Sequence, residues 1–215
     1  MSGHPNRRTV LAVGTAATAA YLLPTGTATA ADRTGPTSGL RPAKIPLSQN
    51  GWEIQTQTNH VSTVWSRSVS GAGIRVDVRI GLPELLLLHI ARRFHYEVRE
   101  LRADEVRGWS EIGRTPLTSP ASNLSSGTAL RIVPGARAQG SYFPQQVRTI
   151  REIVGDCAGT VRWGGDDDSV DESLYYLAVG PDSEDLLRVA PKFQEWSDRL
   201  GAGSGVITAP WAARG

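Results

Sequence analysis

This chain of 215 residues contains little cysteine and lysine and carries a small net charge. Cys157 is the only cysteine, which excludes an internal disulfide and a cysteine-based zinc cluster. The 23 basic residues include only two lysines, a bias that GC-rich codon usage explains better than a binding surface does. Setting aside Arg7 and Arg8 near the start leaves 21 basic against 21 acidic residues. A neutral body excludes the electrostatic footprint of a general nucleic-acid binder.

Long apolar runs are missing as well. The most apolar stretch, Thr9–Leu23, is too short and too rich in alanine, glycine and threonine to favour a membrane span. It follows a basic start and precedes Ala28-Thr29-Ala30, which is the order of the basic, apolar and small-residue regions of an export signal. We therefore predict that residues 1–30 direct export and that the mature protein is secreted, extracellular or cell-wall associated. No integral membrane segment is expected after signal cleavage.

Two export routes fit this leader. Arg7-Arg8-Thr9-Val10-Leu11 resembles the twin-arginine motif, which serves proteins that are exported already folded. Val10 stands where phenylalanine is common and no lysine follows the motif, so a general secretory signal with two arginines stays the alternative. Both routes lead out of the cytoplasm.

Composition divides the rest of the chain into three parts. Residues 31–50 are rich in threonine, glycine and proline without any period, which predicts a flexible linker. A single folded domain is predicted over residues 51–200, where apolar residues recur with the spacing of strands and helices. Residues 201–215 are predicted to form a tail.

The domain combines strands and helices without regular alternation. Alternating β-branched residues on both sides of a Gly-rich turn predict a β-hairpin, and Pro83 and Pro144 each open a predicted helix. Asp182-Ser183 caps a third predicted helix, which Pro191 is expected to kink or interrupt. The predicted strands are Val61–Val69, Ile74–Ile80, Tyr96–Leu101, Thr160–Trp163 and Leu174–Val179. Elements in this order favour an α+β fold.

Three segments, taken in order, carry a resemblance to a known family. They are Ala91–Tyr96, Ser122–Arg131, and Val161–Asp166 leading to Asp171–Tyr176. In order, spacing and residue type they resemble the zinc D-alanyl-D-alanine carboxypeptidases, which share their fold with lysostaphin-type peptidases and the hedgehog signalling domain. The resemblance covers most of residues 84–180. It implies a single hedgehog/DD-peptidase-like domain, in which helices pack on an antiparallel sheet.

The positions that hold zinc in this family carry other residues here. The family pattern is S-x-H-x-x-G-x-A-x-D, followed later by an acidic residue, two further positions, and a histidine with an aromatic neighbour. Ser122 matches the pattern, but the three ligand positions are Leu124, Arg131 and Tyr175. Glu172 keeps the general-base position as a vestige. Since zinc takes imidazole, thiolate or carboxylate ligands, the resemblance implies a degenerate copy that has lost its zinc and holds no other cofactor.

Loss of the ion would leave Glu172 in need of a new partner, because a buried carboxylate without one is costly. We predict that the Arg131 guanidinium occupies the space of the metal and pairs with Glu172, directly or through the hydroxyl of Tyr175. Leu124 is expected to close the apolar side of the same space.

Other features each have a structural and a functional interpretation. Ser122 and Trp163 are candidates for lining the substrate cleft that the resemblance implies. A position at the edge of the core explains Trp163 equally well. The acidic run Asp166–Glu172 suits calcium chemically but lacks the spacing of an EF-hand loop, which favours a solvated loop. His89 and His95 are six residues apart on a helix and face different sides, which disfavours a relocated zinc site.

These observations predict an exported, non-catalytic protein that resembles a D-Ala-D-Ala carboxypeptidase. Its expected partner is the peptidoglycan stem peptide that the resemblance implies, or another exported protein, and not nucleic acid. Two alternatives stay open. One is an active carboxypeptidase that acts on cell-wall peptides with unconventional metal ligation. The other is a structural or interaction domain whose cleft is filled.

Overall fold

The structure, a computed structural model, describes residues 45–198. The predicted export signal, most of the predicted linker and the predicted tail lie outside the described residues. Within residues 45–198, no helix has the length and apolar character needed to cross a membrane.

The first element is the predicted hairpin. Strand β1 (Val64–Val69) pairs in antiparallel register with strand β2 (Ile74–Arg79), and Val69 lies opposite Ile74 at the turn. Gly71 and Gly73 adopt positive φ angles of 79° and 67°, which glycine accepts without the strain that a side chain would bring. Alternate residues of β2 are buried, as the period of two in the sequence predicts.

A second antiparallel sheet holds four strands in the spatial order β3-β4-β6-β5. Its strands are β3 (Val106–Arg107), β4 (Ala129–Ile132), β5 (Val161–Trp163) and β6 (Leu174–Leu177). Together with three α-helices, these antiparallel sheets confirm the α+β class. The last two predicted strands are confirmed within a few residues, although β6 ends at Leu177 instead of Val179.

The helices are α1 (Leu82–Arg93), α2 (Pro144–Gly155) and α3 (Glu184–Asp198). Both helix starts predicted at a proline are confirmed, because the missing proline N–H has no partner to lose in the first turn of a helix. The main core contains the buried stripe of α1 together with one face of the four-stranded sheet, which we call the inner face. Its residues are Val106, Leu130, Ile132, Val161, Trp163, Tyr175 and Leu177. The opposite, outer face carries Arg107, Ala129, Arg131, Arg162, Leu174 and Tyr176.

One predicted strand is wrong, and of the two effects expected of Pro191, a kink or an interruption, the interruption does not occur. Residues Tyr96–Leu101 do not form a strand, because the chain continues α1 through one π-helical turn, Phe94–Val98. Phe94 is fully buried there and extends the apolar stripe of the helix. Pro191 does not interrupt α3, whose buried residues continue on both sides of it. Burial of that stripe offsets the single hydrogen bond that a proline removes.

The predicted domain boundary at Gly51 falls inside a packed segment. Ser48 and Asn50, at the end of the predicted linker, are 4% and 7% exposed. Asn50 donates from its side chain to the Leu177 carbonyl and to Thr128 Oγ1, both at 2.9 Å. The folded part of the chain therefore begins before residue 51, because a polar segment can be held by buried hydrogen bonds without any apolar pattern.

Candidate functional site

The two strands that carry predicted site residues are hydrogen-bonded neighbours. β4 and β6 pair so that Leu130 lies opposite Tyr175 and Arg131 lies opposite Leu174. Because side chains alternate along a strand, Tyr175 points to the inner face and Arg131 to the outer face. The expectation that Leu124, Arg131 and Tyr175 surround one point is therefore wrong, since the sheet separates Tyr175 from Arg131.

An apolar cluster fills the outer face next to Arg131. Leu124 ends a short 3₁₀-helix, Pro120–Leu124, and is 6% exposed. It belongs to a cluster with Ala129, Leu174 and Tyr176, and Ala121 packs against this cluster. Leu174, rather than Tyr175, thus shares a neighbourhood with Leu124. The prediction that Leu124 closes an apolar side is compatible with this packing.

Arg131 forms an ion pair with the residue before the predicted partner. Its Nη1 donates to Asp171 Oδ2 at 2.6 Å and to Ser173 Oγ at 2.7 Å. The side chains of Arg131 and Asp171 are only 13% and 16% exposed. Burial alone would raise the pKa of Asp171, but hydrogen bonds from Ser173 and Arg131 outweigh it and hold that pKa below its usual value. The predicted pairing of Arg131 with Glu172 is wrong.

Glu172 instead fastens a loop. Its carboxylate accepts the backbone N–H of Gly140 and of Ser141, both at 2.8 Å. Its own backbone N–H donates to the Arg137 carbonyl at 3.2 Å, and its carbonyl accepts from Trp163 Nε1 at 2.8 Å. These contacts tie the loop before α2 to the segment that leads into β6, and this segment in turn to Trp163 at the end of β5. A 4% exposed carboxylate with these partners has a structural role.

Tyr175 lies in the main core and is 1% exposed. Its ring meets Phe94 edge-to-face with 6.1 Å between centroids, and Phe94 meets Tyr142 in the same way at 5.8 Å. Within the described part of the chain, neither tyrosine hydroxyl has a hydrogen-bond partner. Burial, with smaller contributions from Tyr142 and Glu172, raises the pKa of Tyr175 well above its usual value. Tyr175 therefore contributes packing and no acid–base chemistry near neutral pH.

The residues of the outer face do not fit a zinc ion. Leu124 and Leu174 offer no donor atom, and Arg131 brings a positive charge that is already paired with Asp171. Over residues 45–198, no group of three or more histidine, cysteine, aspartate or glutamate side chains is arranged to hold a metal ion.

The two candidate cleft residues both have structural partners. Ser122 is fully buried, and its hydroxyl donates to the Leu117 carbonyl at 3.1 Å while accepting from the Gln49 N–H at 2.9 Å. Trp163 is 2% exposed, and its ring belongs to the main core. Both side chains position the chain instead of lining an open cleft, and the core interpretation of Trp163 is the one that its burial favours.

Gly127, which matches the glycine of the resembled pattern, is needed for packing. Its φ is 71°, and a Cβ there would lie 2.6 Å from Val64 Cγ2 and 2.8 Å from the backbone nitrogen of Arg79. The Arg79 N–H also donates to the Gly127 carbonyl at 2.8 Å. Any side chain at this position would push the hairpin away from the four-stranded sheet.

Sequence reasoning missed how the third segment is placed. The pattern of an acidic residue, two positions and a residue with an aromatic neighbour fits twice, as Glu172 to Tyr175 and as Asp171 to Leu174. Only the second choice places both residues next to Arg131: Asp171 is its ion-pair partner, and Leu174 is its cross-strand neighbour. The two choices differ in which face of the sheet the second residue of the pattern points to. The sequence does not show this, because all four residues of β6 are buried and no alternation of polar and apolar residues marks the two faces.

A second group of ionisable residues joins the three helices and was also missed. His89 of α1 lies with its Nε2 3.4 Å from Asp156 Oδ2, which also accepts from Arg93 at 2.6 Å. Lys192 of α3 donates to Asp156 Oδ1 at 3.1 Å. The three segments that supply these residues lie far apart in sequence, so no spacing could reveal the group. His95, by contrast, has a local structural role, because its Nδ1 accepts the Leu101 N–H at 3.0 Å.

A cavity of about 320 Å³ lies beside this group, between the turn after α2 and the face of α3. Its charged lining residues form two ion pairs, Asp156 with Lys192 at 3.1 Å and Asp185 with Arg188 at 2.7 Å. Each lining charge is thus balanced within the protein.

Comparisons of the chain with protein-family models, with curated proteins and with solved structures find no match.

Proposed function

We propose that this chain is an exported, non-catalytic protein of the D-Ala-D-Ala carboxypeptidase type, which binds a cell-wall peptide or an exported protein without cleaving it. The order and spacing of the three sequence segments support the family and its hedgehog/DD-peptidase-like fold. The leader of residues 1–30 supports export.

One observation carries the non-catalytic part of the proposal. Arg131, at one ligand position of the family pattern, is ion-paired with Asp171, and Leu124 and Leu174 stand at the two other ligand positions when the pattern is placed at Asp171 to Leu174. A guanidinium paired with a carboxylate neither polarises water nor binds zinc, and the neighbouring leucines add no donor.

Burial favours a second candidate, a structural or interaction domain with a filled cleft. Leu124, Leu174 and Tyr176 are each no more than 6% exposed, so the outer face beside Arg131 is largely closed. A peptide that binds to the outer face must therefore contact the exposed arginines around the buried cluster of Leu124, Leu174 and Tyr176. An active peptidase with unconventional metal ligation has no comparable support, because the residues present do not fit the ion.

Three measurements on the purified full-length protein test the proposal. Elemental analysis after dialysis is expected to find no stoichiometric zinc, and a muropeptide that ends in D-Ala-D-Ala is expected to release no D-alanine. Titration of the same muropeptide, followed by NMR, is expected to shift signals near Arg131. One zinc per chain together with D-alanine release would overturn the non-catalytic assignment. Absence of shifts would leave the filled-cleft domain as the function.

A further inference from the structure

We propose that Arg107, Arg131 and Arg137, which we call the arginine cluster, form a binding site for an oxyanion group, a carboxylate or a phosphate, on the outer face of the four-stranded sheet. The inference goes beyond the proposed function, since it stands on these side chains and holds whether or not the protein binds cell-wall peptide.

Strand pairing places Arg107 beside Arg131, and a shared aspartate places Arg137 beside Arg131. Arg107 of the edge strand β3 lies directly opposite Arg131 of β4. Directly opposed residues of an antiparallel pair have their Cβ atoms about 5 Å apart and point to the same face. Arg137 arrives from the following loop, with its Nε 3.5 Å from the same Asp171 oxygen that Arg131 contacts at 2.6 Å.

The charges of this cluster are not balanced within the described residues. Among residues 45–198, Asp171 is the one carboxylate that contacts the cluster, and it pairs with both Arg131 and Arg137. Arg107 has no ion pair or side-chain hydrogen bond to any residue of the described part of the chain. The cluster thus sets three positive charges against the single negative charge of Asp171, and the like charges of Arg107 and Arg131, directly opposite each other on the sheet, repel.

The arginines also differ in a way that suits a binding site. Arg131 is 13% exposed and is fixed by Asp171 and Ser173, whereas Arg137 is 64% exposed and Arg107 is exposed too. Asp171 and Ser173 hold the guanidinium of Arg131 in place, whereas the side chains of Arg107 and Arg137 are accessible to a ligand in solution. Guanidinium groups bind carboxylates and phosphates through paired N–H donors, which makes an oxyanion the chemistry that this site recognises.

The test measures anion binding by the full-length protein with two probes, inorganic phosphate and trialanine, by NMR titration. Trialanine with an amidated C-terminus serves as the matched probe that lacks the carboxylate. The variants are Arg107→Gln and Arg137→Gln, and the control is Arg148→Gln, an exposed arginine of α2 outside the cluster. Thermal midpoints of all three variants check that the fold is kept, which is expected because all three side chains are exposed.

We expect at least one probe to bind and added salt to weaken it. Each cluster variant should reduce affinity about tenfold, as loss of a charge-assisted hydrogen bond does, while the control binds as the natural protein does. Preference for phosphate or for trialanine over its amide identifies the source of the oxyanion. Failure of both probes to bind at about 10 mM would overturn the proposal. Equal affinities of Arg107→Gln and Arg148→Gln would overturn it as well.

Discussion

His89 shows at the scale of one residue how burial controls ionisation. The imidazole is 5% exposed, stacks on Trp196 with 5.3 Å between ring centroids, and meets Phe193 edge-on at 4.7 Å. Burial lowers its pKa to about 4, the Asp156 carboxylate opposes that shift, and the charges of Arg93 and Lys192 add to it. The folded protein therefore keeps His89 neutral at pH values where an unfolded chain would protonate it.

The free energy of unfolding is expected to fall as the pH drops from about 6.5 to about 4. Over this range the unfolded chain takes up the His89 proton and the folded chain does not, so acid favours unfolding by on the order of 3 kcal/mol. Urea unfolding at both ends of the range measures the change. The variant His89→Phe should flatten the dependence, while His60→Gln, at an exposed histidine, should keep it. An equal pH dependence in His89→Phe would contradict this assignment.

At the scale of elements, the sequence predicts those helices and strands whose formation depends on neighbouring residues in the chain. The hairpin and the starts of α1 and α2 follow from alternation, turn glycines and proline at a first helical turn. The π-helical turn at Phe94–Val98 and the uninterrupted α3 do not, because burial against other elements overrides the local preferences there. Strand register is the hardest case, since it depends on a partner strand more than 40 residues away in the chain.

The register of β6 gives the sharpest test of where a metal site would lie if the proposed family assignment holds. The triple variant Leu124→His, Arg131→Asp, Leu174→His places three potential ligands on the outer face, where these residues are neighbours. The matched control replaces Tyr175 instead of Leu174, and its third histidine would point to the inner face.

We expect the first triple variant, but not the second, to bind Co²⁺ with the visible absorption of a tetrahedral nitrogen and oxygen site. Circular dichroism must show that both variants are folded, because Leu174 and Tyr175 are both buried. Cobalt binding by the control alone would restore the assignment of Tyr175 and Glu172 to the site.

At the scale of the whole molecule, buried polar contacts hold the first described residues against the sheet, in a segment where the sequence predicts a flexible linker. Ser48 Oγ donates to Asn50 Oδ1 at 2.7 Å, and the Asn50 N–H donates to Asn123 Oδ1 at 3.1 Å. The same segment reaches β6 through the Leu177 carbonyl, so it joins the start of the folded part to the sheet. Apolar periodicity cannot reveal such a network, because its residues are polar and the partners of Asn50 outside the segment are 73 to 127 residues away.

Replacing Asn50 by alanine is therefore expected to destabilise the whole domain. The substitution removes the side-chain donor to Thr128 Oγ1 and to the Leu177 carbonyl and leaves Ser48 without its acceptor on Asn50. Because these groups are buried, the loss should cost about 2–3 kcal/mol in the free energy of unfolding. Gln57→Ala, which removes one exposed hydrogen bond to the Val61 carbonyl, should cost under about 0.5 kcal/mol. Urea unfolding of both variants measures the difference, and equal stabilities would mean that residues 45–50 are not part of the cooperative unit, since a segment that unfolds separately cannot affect the midpoint of the rest.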